Sequence, residues 1–459
     1  MIIPQTKDAY RLLMDGEEAL SHVSYNGFKV DVEYYKNQKP VIDNEIKRLH
    51  DEIIEQTTIG RAWKSRYYNK INIDSSTQLK VVLEKDIGFD KFKVTAKGGN
   101  SADKDVIAKL PYEFSGRYLK YKQLQTALGS LINQIVVGAD SRGFIHPNFN
   151  LHTVRTFRSS CDSPNLQQMP KHDAFVKKLV RTGFVTCSPD TRLFEIDLRG
   201  NEVSVGCCLH RDRQMLTFLN DKSADMHGTV ADHFYRLNET TRTKELRNSV
   251  KGRFVFPSFY GAGAESIAIS FWDYVSENEV LLGNGETLKA HMEAFGVVDF
   301  DSMLRHTTEE LKWYWEDLFG DYNAWKEGIY NVYKEQGYLD LPTGFRVTDF
   351  MRKTQAMNVV IQGAAFHVLL AILIGLVRRM EHYKLKSKIR GQIHDSIVGE
   401  AYPEELQTIY NLYIDSQQAV RKKWGWLIYD IVAESELSDI GGNWAVMHED
   451  GVVEKECTL

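Results

Sequence analysis

The chain is 459 residues long, 43% hydrophobic and 26% charged, which suits a folded protein of several domains or subdomains and excludes a disordered or fibrous one. A formal net charge of −5 does not announce a nucleic-acid binder, although a basic cleft on an acidic body still steers an anionic ligand. Five cysteines without a CxxC pair, two of them adjacent (Cys207, Cys208), exclude a disulfide framework and fit a reducing cytoplasm, that of a host cell if the chain is viral.

The amino-terminal MIIPQTKDAYRLL lacks the basic-then-apolar pattern of a signal peptide. Residues 5–55 read as two amphipathic helical stretches separated by a turn at Tyr25-Asn26-Gly27. Residues 75–125 are rich in Lys, Ser and Gly, with KVTAKGGNSADKD and then KYKQ; this is a solvated loop or a flexible arm touching a phosphate backbone. Arg192–Asp197 alternates around an apolar centre and predicts a short strand ending on an acid. Residues 202–350 read as mostly helical, with Gly283-Asn284-Gly285 as a turn; no GxxxxGK[ST] loop is present, which disfavours an ATP-driven helicase. Val359–Val377 is nearly all apolar, but Gln362 and His367 interrupt it and Arg378 and Arg379 close it, so a buried helix is expected and no membrane partner. A second strand is expected at Lys388–Ile393, turning at His394-Asp395-Ser396 before Ile397-Val398.

Two strands far apart in sequence thus each end on an aspartate. Nucleotidyl transfer needs metal ions near the attacking and leaving oxygens and cations on the phosphates. Mg²⁺ is commonly held by one or two carboxylates, with substrate phosphates completing its shell. Asp197 and Asp395 on neighbouring strands would supply that pair, although either acid alone reads equally well as a surface aspartate.

The surrounding stretches carry a resemblance. Arg155-Thr-Phe-Arg-Ser-Ser-Cys-Asp-Ser-Pro-Asn-Leu-Gln167, Glu195-Ile-Asp197-Leu-Arg-Gly-Asn-Glu202, Arg247-Asn-Ser-Val-Lys251 running through Phe256 to Tyr260-Gly261, Asn358-Val-Val-Ile-Gln362-Gly363 and Gln392-Ile-His394-Asp395 occur in that order. They resemble, respectively, the primer–template stretch, motif A, motif B, the N-x-x-x-Q-G helix and motif C of the family A DNA polymerases, the group of bacterial DNA polymerase I. The resemblance extends from about Gly16 to Gly442–His448.

That resemblance implies an α+β right-hand fold with an antiparallel-sheet palm and mostly helical fingers and thumb. Its divisions are palm-edge helices at 1–44, thumb at 45–140, palm at 141–220, fingers at 221–354, and palm with a carboxy-terminal tail at 355–459. It implies a template-directed polymerase extending a primer 3′-hydroxyl with dNTPs by two-metal chemistry. The alternatives are a single-subunit RNA polymerase and a non-catalytic DNA-binding replication subunit. Asp197, Asp395 and the Leu198 carbonyl would bind two Mg²⁺ ions, which Mn²⁺ can replace. His227, Arg247 and Lys251 would contact the triphosphate, with Lys251 also aiding the departure of pyrophosphate. Phe256 and Tyr260 would frame the nascent pair. Arg158, Asn165, Gln167, Asn358, Gln362 and His394 would touch primer–template DNA. A separate exonuclease or processivity factor is a further partner the resemblance allows.

Glu202 has its own physical reading, because a carboxylate at the sugar edge would crowd a 2′-hydroxyl and favour dNTP over rNTP. The chain also departs from the family pattern. Lys251 and Tyr260 are nine residues apart where the family has eight, while Phe256 and Tyr260 keep their spacing. One inserted residue would turn an α-helix by roughly 100° and part the two faces, so a π-bulge or kink near Arg253 is expected, with Pro257 just beyond. Ser396 stands where the family often has a second acid, and Thr354 where it has an arginine. Polymerase-like sequence begins almost at Met1, so no proofreading nuclease is expected within these residues, and the Phe-Val-Phe-Pro-Ser-Phe-Tyr-Gly run looks phage-like.

Overall fold

A computed structural model describes residues 2–454 apart from Lys91, 95–99, Asp103, 108–109, 170–172, 222–223, Tyr260 and Asn278. Part of the Lys-, Ser- and Gly-rich stretch at 75–125, read as a solvated loop or flexible arm, and the motif B tyrosine Tyr260 therefore lie outside the described residues; the described parts of that stretch carry the helices Ser76–Val82 and Tyr112–Thr126, so it is not a loop throughout.

The strand beginning at Arg192 forms where expected and runs to Leu198, at the centre of a five-stranded antiparallel sheet. In spatial order the strands are Lys388–Ile393, Ser396–Ala401, Arg192–Leu198, Ala433–Ser438 and Met447–Val452. The first pair is a hairpin whose tip holds His394 and Asp395. One flank of the sheet is buried beneath helices and the far edge strand is largely exposed and charged, a usual way of blunting an unpaired edge.

The apolar run at Val359–Val377 lies within a single 30-residue helix, Lys353–His382. It is the only helix among the described residues long and apolar enough to cross a membrane, and 83% of its most apolar window is buried in the fold. The helix Lys7–Asn26 packs along it, with Arg378 reaching both Asp15 and Glu18 at 2.8 Å. Leu406–Lys423 covers another side. Gly363 permits a close approach: a Cβ there would lie 2.5 Å from Leu341 Cδ2 and 3.2 Å from the Thr156 carbonyl.

The expected turn at Tyr25–Gly27 ends the first helix, Gly27 closing it at a φ of +57°. The next helix, Val32–Gln56, runs without a break through residue 44, so the anticipated palm–thumb boundary falls inside one amphipathic element. It packs with Thr58–Tyr67 and Tyr112–Thr126, helices of the region expected to be the thumb. The helices between Met226 and Gln336 enclose a second apolar core, built around Phe234, Phe254, Phe271 and Tyr314. Ile361 of the long helix belongs to this core, whereas Ala364 and Leu370 belong to the first. The long helix is thus the seam between the two apolar cores. The strands Leu339–Asp340 and Phe345–Val347 join Ile2–Pro4 in a small separate sheet.

Candidate active site

Sheet register brings the two aspartates together. Ser396 is the antiparallel partner of Asp197, and the Leu198 amide donates to the Asp395 carbonyl at 3.1 Å. Asp395 is therefore adjacent to the end of the Asp197 strand. Asp197 is exposed and Asp395 half-buried. Beneath them, burial first and the charge of Asp197 second push the Tyr413 phenol well above its ordinary pKa. His394 adopts a φ of +54°, and the Gln392 side-chain amide donates to its carbonyl.

The fingers face is shaped by the extra residue in motif B. An α-helix spans Lys244–Val250, a π-helical turn follows at Lys251–Val255, and the α-helix resumes at Phe256–Phe259. The Phe256 amide donates to the Lys251 carbonyl five residues back, so the widened turn absorbs the insertion as the spacing required. The Lys251 ammonium then lies 5.5 Å from the Phe256 ring centroid, and the His227 ring meets Phe256 edge-on at 6.1 Å. Arg247 donates from Nε to Asp225 Oδ2 at 2.7 Å. Burial, then the charges of Lys251 and Arg247, lower the His227 pKa to about 4, and its buried Nδ1 has no hydrogen-bond partner among the described residues. A neutral imidazole and two cations therefore share one face.

A cavity between fingers and palm is lined by Glu202, His210, Phe256, Tyr322, Asn358 and Gln362. A second, lined by Arg155, Thr354 and Phe350 among others, also meets Asn358 and Gln362. Those two amides lie one helical turn apart, half-buried between the cavities. Glu202 opens the helix Asn201–His210 and is ion-paired with Arg158.

Not every residue expected to touch DNA points free. The Asn165 side chain accepts from the Gln167 amide at 3.1 Å, capping a local turn. The Gln167 side chain donates to Ser159 Oγ at 2.9 Å, and Ser159 donates to Gln392 Oε1 at 2.6 Å. This relay ends on the His394 carbonyl, so Gln167 braces the motif C turn from behind. Lys353, beside Thr354 where the family has an arginine, is paired with Glu327. Sequence reasoning missed Ser159, Gln392 as a brace, and Asp225 as the partner of Arg247. It also missed the surroundings of Glu195, for which only the absent acid at Ser396 gave any signal.

The donors suit a hard cation. Among the described residues no group of three or more His, Cys, Asp or Glu side chains forms a closed metal cage. Asp197, exposed, and Asp395, half-buried, offer only oxygen donors, a set that fits the incomplete shell Mg²⁺ takes when substrate phosphates supply the rest.

A five-stranded palm carrying two acids, faced by helical fingers with a basic turn, defines a right-hand fold. The sequence model of DNA polymerase family A matches residues 32–424, and the chain belongs to that family. DNA polymerase I of Bacillus subtilis (strain 168) is 25% identical over 400 residues, covering 86% of this chain and 41% of that protein. DNA polymerase I of Chloroflexus aurantiacus is 22% identical over 446 residues, covering 95% and 43%. The chain thus spans less than half the length of these relatives. The fold is also that of the POL domain of Pol1 from M. smegmatis, solved in complex with DNA primer-template and dNTP. That likeness has a TM-score of 0.71 at 21% identity and covers 95% of this chain and 70% of that one.

Proposed function

We propose that the chain is a template-directed DNA polymerase that adds dNTPs to a primer 3′-hydroxyl, with primer–template DNA as its partner. The observation that carries this reading is the pairing of Asp197 with Ser396, which sets Asp395, in the hairpin turn just before Ser396, beside the Asp197 strand. Asp197, Asp395 and the Leu198 carbonyl would hold two Mg²⁺ ions, which when bound lower the charge on the attacking and leaving oxygens.

The remaining work belongs to the chain's own residues. Arg247 and Lys251 meet the triphosphate as cations, and Arg247 leaves or shares its bond to Asp225 to do so. His227, neutral at pH 7, offers a hydrogen bond rather than a third charge. Lys251 holds the pyrophosphate as it departs. Phe256, with Tyr260, frames the new pair, and Asn358 and Gln362 present amides from a rigid helix to the primer–template. Glu202 occupies the sugar edge and disfavours a 2′-hydroxyl. The motif pattern at 32–424 assigns these residues to polymerase, and we take them to lack 3′–5′ nuclease activity.

Primer extension tests the proposal. Wild type, Asp197→Ala and Asp395→Ala are compared with dNTPs and with rNTPs in Mg²⁺. Templated dNTP addition lost in both variants is expected; addition that survives either substitution would overturn the assignment of the acids. A 5′-labelled primer with a mismatched end should not be shortened.

A further inference from the structure

Glu195 sits two residues before Asp197 on the central strand, on the same face of the sheet. Its carboxylate is held from three sides. Ser396 Oγ lies 2.7 Å from Oε1, Trp444 Nε1 donates to Oε2 at 3.0 Å, and the Arg181 guanidinium stands 3.9 Å away. Arg181 also covers the Trp444 ring at 4.7 Å, and Trp444 is buried against Phe28 and Phe184. The arrangement is nearly dry, since the Arg181 and Glu195 side chains are 7% and 15% exposed. A charged acceptor so enclosed makes a strong hydrogen bond and holds its donor in one geometry.

That donor is the residue immediately after Asp395. The hairpin tip is strained, because His394 is a non-glycine residue at a φ of +54°, and such a conformation persists only when its surroundings fix it. Gln392 grips the His394 carbonyl on one side and Leu198 the Asp395 carbonyl. Ser396 is the remaining anchor, and its hydroxyl meets only Glu195 and the Ile393 carbonyl, the latter at 2.9 Å.

We propose that Glu195 is a positioning residue: through the Ser396 hydroxyl it ties the strand bearing Asp197 to the turn bearing Asp395 and fixes the separation of the two acids. The inference rests on the metal-dependent polymerase reading above. With serine after the aspartate, the turn is anchored by an acid on the opposite strand.

The test uses Glu195→Gln and Ser396→Ala. The serine variant leaves Glu195, Arg181 and Trp444 in place, so the buried ion pair and the fold are kept. Hydrogen exchange of peptides covering 391–398 and Mn²⁺ titration of the protein by electron paramagnetic resonance are measured beside the thermal midpoint. Expected are faster exchange confined to that turn and about tenfold weaker Mn²⁺ binding in each variant. Glu195→Gln keeps a weaker, neutral acceptor for the same hydroxyl, so at the turn the double variant should be no worse than Ser396→Ala alone. Unchanged exchange at the turn, unchanged Mn²⁺ affinity, or additive losses would overturn the proposal. Neither readout requires turnover, so failure of the wild type to extend a primer would count against the polymerase reading alone.

Discussion

Glu202 and Arg158 come from separate stretches of the chain and meet as an ion pair at the edge of the cavity that also holds Phe256. The pair holds the Glu202 carboxylate in place, so the exclusion of a 2′-hydroxyl proposed for it would be a matter of fixed shape as well as charge. Glu202→Ala should therefore raise rNTP use relative to dNTP by about tenfold or more, equal to at least ~1.4 kcal/mol in the ratio of kcat/KM values. Unchanged discrimination in that ratio would remove Glu202 from the sugar edge. Gly363 makes a different kind of demand. A methyl group there presses on Leu341 and on the Thr156 carbonyl, so Gly363→Ala should cost about 1–3 kcal/mol by denaturant unfolding.

The π turn at Lys251–Val255 is the element on which the fingers face depends. Removing one residue there would leave Lys251 and Phe256 four apart in a regular helix, still on one face. Gly252 is exposed, and a Cβ at that position would meet nothing within 4 Å. Its deletion should thus retain templated addition to within about tenfold, whereas an alanine inserted after it turns Lys251 a further ~100° away and should abolish activity. Equal loss from both changes, in single-turnover assays, would mean that the turn does more than restore register.

This element also marks what could be read ahead of the structure. Set against the family pattern that the chain resembles, the nine-residue spacing from Lys251 to Tyr260 called for a π-bulge or kink near Arg253, because a one-residue mismatch between two helix faces has few local solutions. Two of the five palm strands, those beginning at Arg192 and Lys388, were legible from short-range alternation, although the first runs one residue past Asp197 and Asp395 lies in the turn beyond the second. The Gln167–Ser159–Gln392 relay and the Arg181–Trp444–Glu195 cluster were not. They join residues 233 and 249 apart in sequence, and no periodicity records a side-chain contact across such a distance. Nor did composition reveal that the helix Val32–Gln56 would carry the chain across the expected palm–thumb boundary.

Across the whole molecule, burial keeps several histidines neutral. His210 and His367 are lowered to about 3 and His227 to about 4, from an ordinary 6.5. Because the folded values lie below the unfolded one, the unfolded chain takes up protons first. Stability should then fall as pH drops from 6.5 towards 4, by up to ~1.4 kcal/mol per pH unit for each such histidine. Denaturation at pH 7.5 and 5.0 checks this, and a flat profile would contradict it. His367→Gln should lessen the slope, since that ring, hydrogen-bonded to Thr343 at 2.7 Å, is fully enclosed.

The central claim is that Asp197 on the central palm strand and Asp395 in the adjacent hairpin turn serve templated synthesis. Its most direct measurement is single-nucleotide insertion on primed templates presenting each of the four bases in turn, with each dNTP supplied alone. The account predicts that wild type adds the complementary dNTP in every case and that Asp197→Asn and Asp395→Asn, still bound to DNA, add none. Insertion indifferent to the template base, or no insertion by a folded wild type bound to the primed template, would contradict it.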